Sequence, residues 1–323
     1  MPVDVQGTFA SQKINKVRWI PEEYTETKYF FTGSWDDEVN CLKVWCIEKH
    51  NEDDDIEYPQ AISEYKLNGD VTEIKFVENN RIVLSSSDGD VRPEHCSCTS
   101  VDVLEGDIVT AGEDGHINML SSRRGEVAHS IIEADSCSIH SICYLKQNEI
   151  ITGNVRGHMK LWDLRSPQKD KYVASFLLNE NQQAATCIVH HPTQPHIVLA
   201  GSEEGELAVW DLRINTFPAS AINTHSGSIN EMHFHPDNPQ KLLICSGSGN
   251  IWENNMEMMI RTSKNKDNQS VTTWMQLEDK NKIVVNSLMP NLHKSINTLD
   301  IDRSRILCGA DNEAVYILRN YAF

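Results

Sequence analysis

Residues 191–211 read His191-Pro192-Thr193-Gln194-Pro195-His196-Ile197-Val198-Leu199-Ala200-Gly201-Ser202-Glu203-Glu204-Gly205-Glu206-Leu207-Ala208-Val209-Trp210-Asp211. The stretch His235 to Glu253, HPDNPQKLLICSGSGNIWE, follows the same plan. Each begins with a His-Pro turn, continues through a short run of aliphatic and small residues, breaks at a Gly-containing tight turn, and resumes in a second run that ends in Trp and an acid. Short apolar runs bounded by turn residues read as buried strands. Glycine or asparagine suits the turn because positive φ costs least there and the turn's twist matches the flanking strands.

Outward from this pair, the same distance recurs. Trp stands five positions after the turn residue in Asn40 to Trp45, Gly157 to Trp162, Gly205 to Trp210 and Gly247 to Trp252. Gly115 to Leu120 and Asn312 to Ile317 place a large aliphatic at that distance, and Asp88-Gly89 supplies a seventh turn. The seven marks at 40, 89, 115, 157, 205, 247 and 312 fit a repeat of about 40–45 residues, the length of a four-stranded propeller blade. One such sheet cannot bury both its faces alone, whereas a ring of them stacks face on face. The expectation is an all-β, seven-bladed β-propeller occupying 1–323 as a single domain. The last unit runs out after Ala314–Leu318, so its fourth strand is expected from Val3–Phe9, which would close the ring.

Two intervals break the period. The last, between marks 247 and 312, contains a polar insertion from about Asn254 to Lys282 with no strand periodicity, expected to be a mobile loop. The second, between marks 89 and 115, is too short for four strands and their turns. Pro93 would interrupt pairing there. The seam between the second and third blades is therefore expected to be shortened.

Twenty-nine Lys and Arg against 47 Asp and Glu give a net charge of −18, which repels phosphate backbones and acidic lipids. Direct nucleic-acid binding and membrane insertion are not expected. Glu52-Asp53-Asp54-Asp55-Ile56-Glu57 reads as a solvated loop. No apolar run approaches the ~18 residues of a span, and the N-terminus lacks the basic-then-apolar order of a secretory signal, so a soluble intracellular protein is expected. The nine cysteines are scattered mostly one per strand and read as reduced core thiols. His95-Cys96-x-Cys98 has no second ligand pair nearby, so no metal is expected. No phosphate loop, nucleophile elbow or His-Glu-x-x-His pair occurs, which argues against an enzyme and against a cofactor or small-molecule substrate. His191, His225 and His235 lie in repeat turns, where bonding to the blade backbone is the expected role.

Trp162-Asp163-Leu164-Arg165 and Trp210-Asp211-Leu212-Arg213 share one form in adjacent units. Structurally, Trp ends the strand, Asp begins the turn and Arg lies exposed. Functionally, the pair resembles the tandem motif of propeller receptors that dock on cullin-type ubiquitin ligases, with Arg165 and Arg213 as candidate partner-binding residues. That substrate-receptor role is the alternative function.

Longer stretches carry a more specific resemblance: Ser11–Trp19 (SQKINKVRW), Thr32–Asp36 (TGSWD), Gly112–Asn118 (GEDGHIN), Ile296–Asp300 (INTLD) and Cys308–Tyr316 (CGADNEAVY). On these the chain resembles the WD40 nucleoporins that are peripheral members of the Y-shaped outer-ring scaffold of the nuclear pore. The resemblance runs from the first unit to the last, apart from Asp90 to about Ser100 and 254–282, and the short second interval departs from the family's pattern. It implies a WD40 propeller with no catalytic residues, located at the nuclear envelope in the nuclear pore complex. It further implies other outer-ring nucleoporins as partners, with support of pore assembly, protein transport and messenger RNA export. Some relatives also visit kinetochores in mitosis. No individual contact residue follows from it.

Overall fold

The computed structural model describes residues 3–49, 57–78, 81–88, 96–123, 126–166, 170–213, 220–224, 227–255, 260–264, 270–274 and 286–321, and these contain strands and turns but no helix. The first strand, β1 (Asp4–Phe9), belongs to the last sheet. Sheet 1 is β2 (Ile14–Trp19), β3 (Tyr29–Ser34), β4 (Asn40–Lys49) and β5 (Glu57–Leu67); sheet 2 is only β6 (Val71–Glu78) and β7 (Arg81–Ser86). Sheet 3 is β8 (Cys98–Leu104), β9 (Asp107–Gly112), β10 (Ile117–Ser121) and β11 (Val127–Ile131). Sheet 4 is β12 (Ile139–Lys146), β13 (Glu149–Asn154), β14 (His158–Asp163) and β15 (Ala174–Leu177). Sheet 5 is β16 (Ala185–His191), β17 (Gln194–Ser202), β18 (Glu206–Asp211) and β19 (Ser220–Asn223). In sheet 6, β20 (Ile229–Phe234), β21 (Lys241–Ser246) and β22 (Ile251–Asn255) are followed by a separate hairpin, β23 (Ile260–Lys264) with β24 (Ser270–Trp274), before β25 (Asn286–Ser287) completes the sheet. Sheet 7 joins β26 (Ile296–Asp302), β27 (Arg305–Ala310) and β28 (Ala314–Arg319) to β1.

All pairings within the sheets are antiparallel, and β1 runs along β28 in unbroken register from Asp4 opposite Arg319 to Phe9 opposite Ala314. This is the WD40 propeller plan, with six four-stranded sheets and a second sheet of two strands among the described residues. The shortening expected at the second interval is thus concentrated in sheet 2.

The second or third residue of each innermost strand donates a side-chain hydrogen bond to a carbonyl of the next. Asn15 Nδ2 reaches Val71 O at 2.7 Å, Thr72 Oγ1 reaches Cys98 O at 2.6 Å, and Thr99 Oγ1 reaches Ile139 O. Ser141 Oγ reaches Ala185 O at 3.4 Å, Thr186 Oγ1 reaches Ile229 O, and Asn230 Nδ2 reaches Ile296 O at 2.9 Å. The last, Asn297 Nδ2 to Ile14 O at 2.9 Å, returns to sheet 1. Each bond ties one inner strand to the backbone of the next. The sheets approach so closely that Gly309 has no room for a side chain: a Cβ there would lie 2.3 Å from Ile14 Cγ2.

Register explains where the sequence reading slipped. Gly115, Gly157 and Gly205 do hold positive φ, 73°, 71° and 84°, with Leu120, Trp162 and Trp210 at the same place in their strands. In sheet 6, however, the positive φ of 85° belongs to Gly249 and not to Gly247. Trp252 pairs with Ile244 there, the position that Ala208 occupies opposite Ala200, while the place of Trp210 is taken by Asn254 opposite Leu242. In sheet 7 the mark is one residue later than expected, at Glu313 (φ 59°), so Leu318, not Ile317, stands in the Trp position opposite Ile306. A one-residue slip exchanges the faces of a strand. It leaves no mark in the sequence because both faces are covered: Ile317 and Leu318 are equally buried.

The insertion after sheet 6 departs from expectation as well. The hairpin β23–β24 pairs Ile260 with Trp274 through Lys264 with Ser270, within a range expected to lack strands. Ile-Arg-Thr-Ser-Lys and Ser-Val-Thr-Thr-Trp supply the β-branched and aromatic residues that favour extended backbone. Asn254 and Asn255 end β22, and residues 256–259, 265–269 and 275–282 lie outside the described residues, as do the acidic 52–56 and the Gly89 turn mark.

Tryptophan at the repeat position is held by more than packing. Trp45 Nε1 donates to Thr32 Oγ1 at 2.9 Å and Trp162 Nε1 to Thr152 Oγ1 at 3.1 Å. Sheet 5 has Ala200 at the threonine position, and Trp210 Nε1 finds no acceptor among the described residues. Thr152→Val keeps the volume but strands the Trp162 indole, so equilibrium unfolding in urea should show a loss of about 1–3 kcal/mol.

Candidate functional site

The inner strands β2, β6, β8, β12, β16, β20 and β26 alternate apolar residues, which pack between sheets, with polar ones that face a central channel of about 820 Å³. One tier of equivalent inner-strand positions holds Lys16, Glu73, Ser100, Ser141, Cys187, Glu231 and Thr298, of which all but the buried Thr298 line the channel. Two residues further along each strand come Arg18, Lys75, Asp102, Cys143, Val189, His233 and Asp300. The acidic and basic side chains of these two tiers all come from sheets 1, 2, 3, 6 and 7, whereas sheets 4 and 5 contribute Ser141, Cys143, Cys187 and Val189. The channel is charged on one side and neutral on the other.

Arg18 organises the charged side. One guanidinium nitrogen, NH2, donates to Glu73 Oε1 at 2.5 Å and to Glu231 Oε1 at 2.6 Å, while Nε donates to Ile74 O at 3.1 Å. Lys16 Nζ stands 3.2 Å from Glu231 and 3.5 Å from Glu73. The second oxygen of Glu231 accepts from Thr298 Oγ1 at 2.7 Å and Leu299 N at 2.9 Å. Lys75 pairs with Asp102 at 3.4 Å, and Asp102 also accepts from Tyr144 N at 2.7 Å. Asp300 acts likewise at the seam between sheets 7 and 1, accepting from Trp19 N at 2.7 Å. These groups are largely removed from water, and each is met by an opposite charge or by fixed N–H donors, the condition under which buried ions are tolerated.

Protonation follows the geometry. Burial opposes the charge on Glu231, yet Arg18 and Lys16 outweigh it and hold the carboxyl well below the usual range. Glu73 shifts the same way, burial being overcome by Arg18 and Lys16. Asp300 goes up, because burial outweighs Arg18. On the neutral side, burial pushes the Cys143 thiol up and the Cys187 thiol up to about 12. Neither is a thiolate nucleophile at neutral pH. His140 and His190 are kept neutral by burial.

The depressed carboxyls carry a pH consequence. Their folded pKa lies below the unfolded value of about 4.3, so their contribution to stability is complete above it and disappears as pH falls through the native values. Urea midpoints should drop progressively between about pH 5 and pH 2, and Glu231→Gln should flatten that fall.

The residues singled out in the sequence lie on the rim instead. Arg165 and Arg213 follow β14 and β18, with exposed side chains that fold back on their own turn acids. Arg165 Nε donates to Asp163 Oδ1 at 3.2 Å and Arg213 Nε to Asp211 Oδ1 at 2.8 Å. Their hydrogen bonds hold Asp163 below its ordinary range and, against its burial, Asp211 as well. His191 Nδ1 accepts from Thr193 N at 3.3 Å, and His235 Nδ1 from Asp237 N at 3.1 Å, so these two stabilise turns. His225 and His95 lie outside the described residues. Cys98 is buried and Cys96 half-buried.

The sequence reading missed the channel network. Its trace was the charge at alternate positions of strands that are otherwise apolar, Ile-Asn-Lys-Val-Arg-Trp, Val-Thr-Glu-Ile-Lys-Phe and Ile-Asn-Glu-Met-His-Phe.

No protein-family model matches the chain. It is 31% identical to nucleoporin Nup43 of Homo sapiens over 376 aligned positions, covering 98% of this chain and 99% of that protein. The mouse protein of the same name is 31% identical over 375 positions, covering 98% of each. The nuclear pore complex protein nup43 of Dictyostelium discoideum is 26% identical over 224 positions, 66% of this chain and 51% of that relative. An alignment of 376 positions exceeds the 323 residues of this chain, so the human relative carries residues with no counterpart here.

Proposed function

Because the chain belongs to the Nup43 family of nucleoporins, and is thereby a component of the nuclear pore complex, we propose that it serves there as a non-enzymatic scaffold within the Y-shaped outer ring. The end-to-end match to the mammalian relatives carries this reading. The channel supports it from the physical side: its carboxylates are committed to Arg18, Lys16, Lys75 and backbone donors, and its thiols are held protonated. Such groups fasten sheets together, and neither the paired carboxylates nor the protonated thiols are poised as base or nucleophile. Partners are then met by the rims and outer edges of a domain spanning 1–323. The net charge of −18 favours protein partners over nucleic acid, so protein transport and messenger RNA export follow from pore assembly and not from cargo binding.

Affinity purification of the tagged chain from cells of its source tests this. Outer-ring nucleoporins should be recovered in stoichiometric amounts, and their absence would overturn the reading. The adaptor-docking alternative rests on Arg165 and Arg213, whose guanidinium groups are engaged by Asp163 and Asp211. Alanine at both positions should leave nucleoporin recovery unchanged, since the pair seals turns.

A further inference from the structure

The loop that joins β2 to β3 reads Ile20-Pro21-Glu22-Glu23-Tyr24-Thr25-Glu26-Thr27-Lys28, and it is fastened to the turn between β26 and β27. Arg303 NH2 donates to Glu23 O at 3.2 Å, and Ser304 Oγ donates to Glu26 Oε1 at 2.9 Å. Thr27 N donates to Asp302 Oδ2 at 3.0 Å, and Arg305 NH2 donates to Thr27 O at 2.6 Å. Within the loop, Thr25 Oγ1 donates to Glu22 Oε2 at 2.8 Å. Thr27 is buried by this packing, whereas Tyr24 is held the other way. At 86% exposure it is the most exposed large apolar or aromatic side chain among the described residues. No hydrogen bond or ring contact within the described residues engages it.

A lone exposed tyrosine on a loose loop would need no explanation. Here bonds on both sides of it fix the backbone, so the ordering that a binding loop normally undergoes on association is already present in the free chain. Tyrosine is also among the side chains that dominate protein interfaces, being large, amphipathic and short of rotatable bonds. Its setting is acidic. Glu22 and Glu23 are exposed and pair with no cation among the described residues, while Glu26 stands 3.5 Å from Arg305 and Lys28 is the loop's one basic residue. The strand β4 runs beside this loop, Ile47 N donating to Lys28 O at 2.8 Å, and the sequence after β4 includes Glu52-Asp53-Asp54-Asp55. That neighbouring segment has the wrong sign to cover the loop. A second copy, with the same acidic loop and a net charge of −18, is likewise repelled.

We propose that Tyr24 anchors a protein partner: its ring enters an apolar socket whose rim carries Lys or Arg opposite Glu22 and Glu23. The inference rests on the scaffold reading only in that a scaffold acts through its surfaces. The ring supplies the buried area, and the two carboxylates select and orient a basic rim.

Photo-crosslinking of the full-length, tagged chain in cells of its source tests this, with Tyr24→p-benzoylphenylalanine as the probe and sequencing of the crosslinked peptides as the readout. Crosslinks should fall on one protein, at a site flanked by Lys or Arg. Recovery of that protein should drop about tenfold or more with Tyr24→Ala and little with Tyr24→Phe. Glu22→Gln together with Glu23→Gln should lower recovery several-fold and weaken its dependence on salt. The urea midpoint of Tyr24→Ala should match that of the unmodified chain, so that lost recovery reports lost contact and not lost folding. The proposal falls if no crosslink forms, if crosslinks reach only a second copy or the chain itself, if the site reached is framed by acids, or if Tyr24→Ala leaves recovery unchanged. Recovery of outer-ring nucleoporins that is indifferent to Tyr24 would overturn the anchor and leave the scaffold reading standing. Tyr24-dependent capture, at a Lys- or Arg-framed site, of a protein outside the pore would uphold the anchor and overturn the outer-ring reading.

Discussion

Removal of residues 1–9 should cost about 3–6 kcal/mol of folding free energy, read as a large fall in the urea midpoint, because β1 is, among the described residues, the only strand that pairs with the outer edge of β28. Six consecutive residue pairs vanish with it, and Val3 and Val5 leave the apolar cluster that contains Leu318 and Tyr321. The effect exceeds that of cutting an ordinary terminal strand. The stack of sheets depends on each being held between two others, and sheet 7 is the one built from both ends of the chain. A peptide of residues 1–10 added in excess should restore some of the loss by mass action. An unchanged midpoint would mean that β1 contributes nothing to holding sheet 7 between its neighbours.

Arg18→Ala should be nearly as damaging, at about 3–5 kcal/mol, because it leaves Glu73 and Glu231 buried near each other with Lys16 as the one remaining cation that pairs with both. The same substitution should raise the pKa of both carboxyls, so the acid-induced fall in stability should begin at higher pH than in the unmodified protein. Lysine is a poor replacement, since one ammonium cannot reproduce the planar fork that serves Glu73, Glu231 and the Ile74 carbonyl together. Replacing Arg18, Glu73 and Glu231 together with apolar residues of similar volume should be much milder than Arg18→Ala alone, as is common for buried ion networks. Urea unfolding of the two variants side by side separates the value of the network from the penalty of orphaning its carboxylates.

The features of this architecture that could be read from sequence are those written locally. A glycine at positive φ with a bulky residue five positions on, as in Gly157 and Trp162, encodes a turn and the strand after it within one short window. That sheet 2 has two strands among the described residues was legible for the same reason, since Pro93 and the short interval are local facts. Register was not. At Ile317 and Leu318 both faces of the strand are buried, so no polar alternation marks which one points where. In sheet 6, Gly247 and Gly249 both lie near the turn, and only the pairing of Ile244 with Trp252 shows which one makes it. Least legible was the channel. Lys16, Arg18, Glu73 and Glu231 are spread over more than 200 residues of chain, and nothing in their separate strands reveals that they meet. The candidate arginines were found readily because they sit in a repeated motif, yet the geometry commits both to their own turns.

Electron density for the purified chain, from crystals or from single particles, bears most directly on the central claim, which is a circuit of seven radial sheets around a charged channel. The account requires six sheets of four strands and a second sheet of two, β1 running antiparallel to β28, and the side chain of Asn297 bonded to the Ile14 carbonyl across the last seam. An open arc with β1 detached, or sheets packed as two flat layers without a channel, would contradict it.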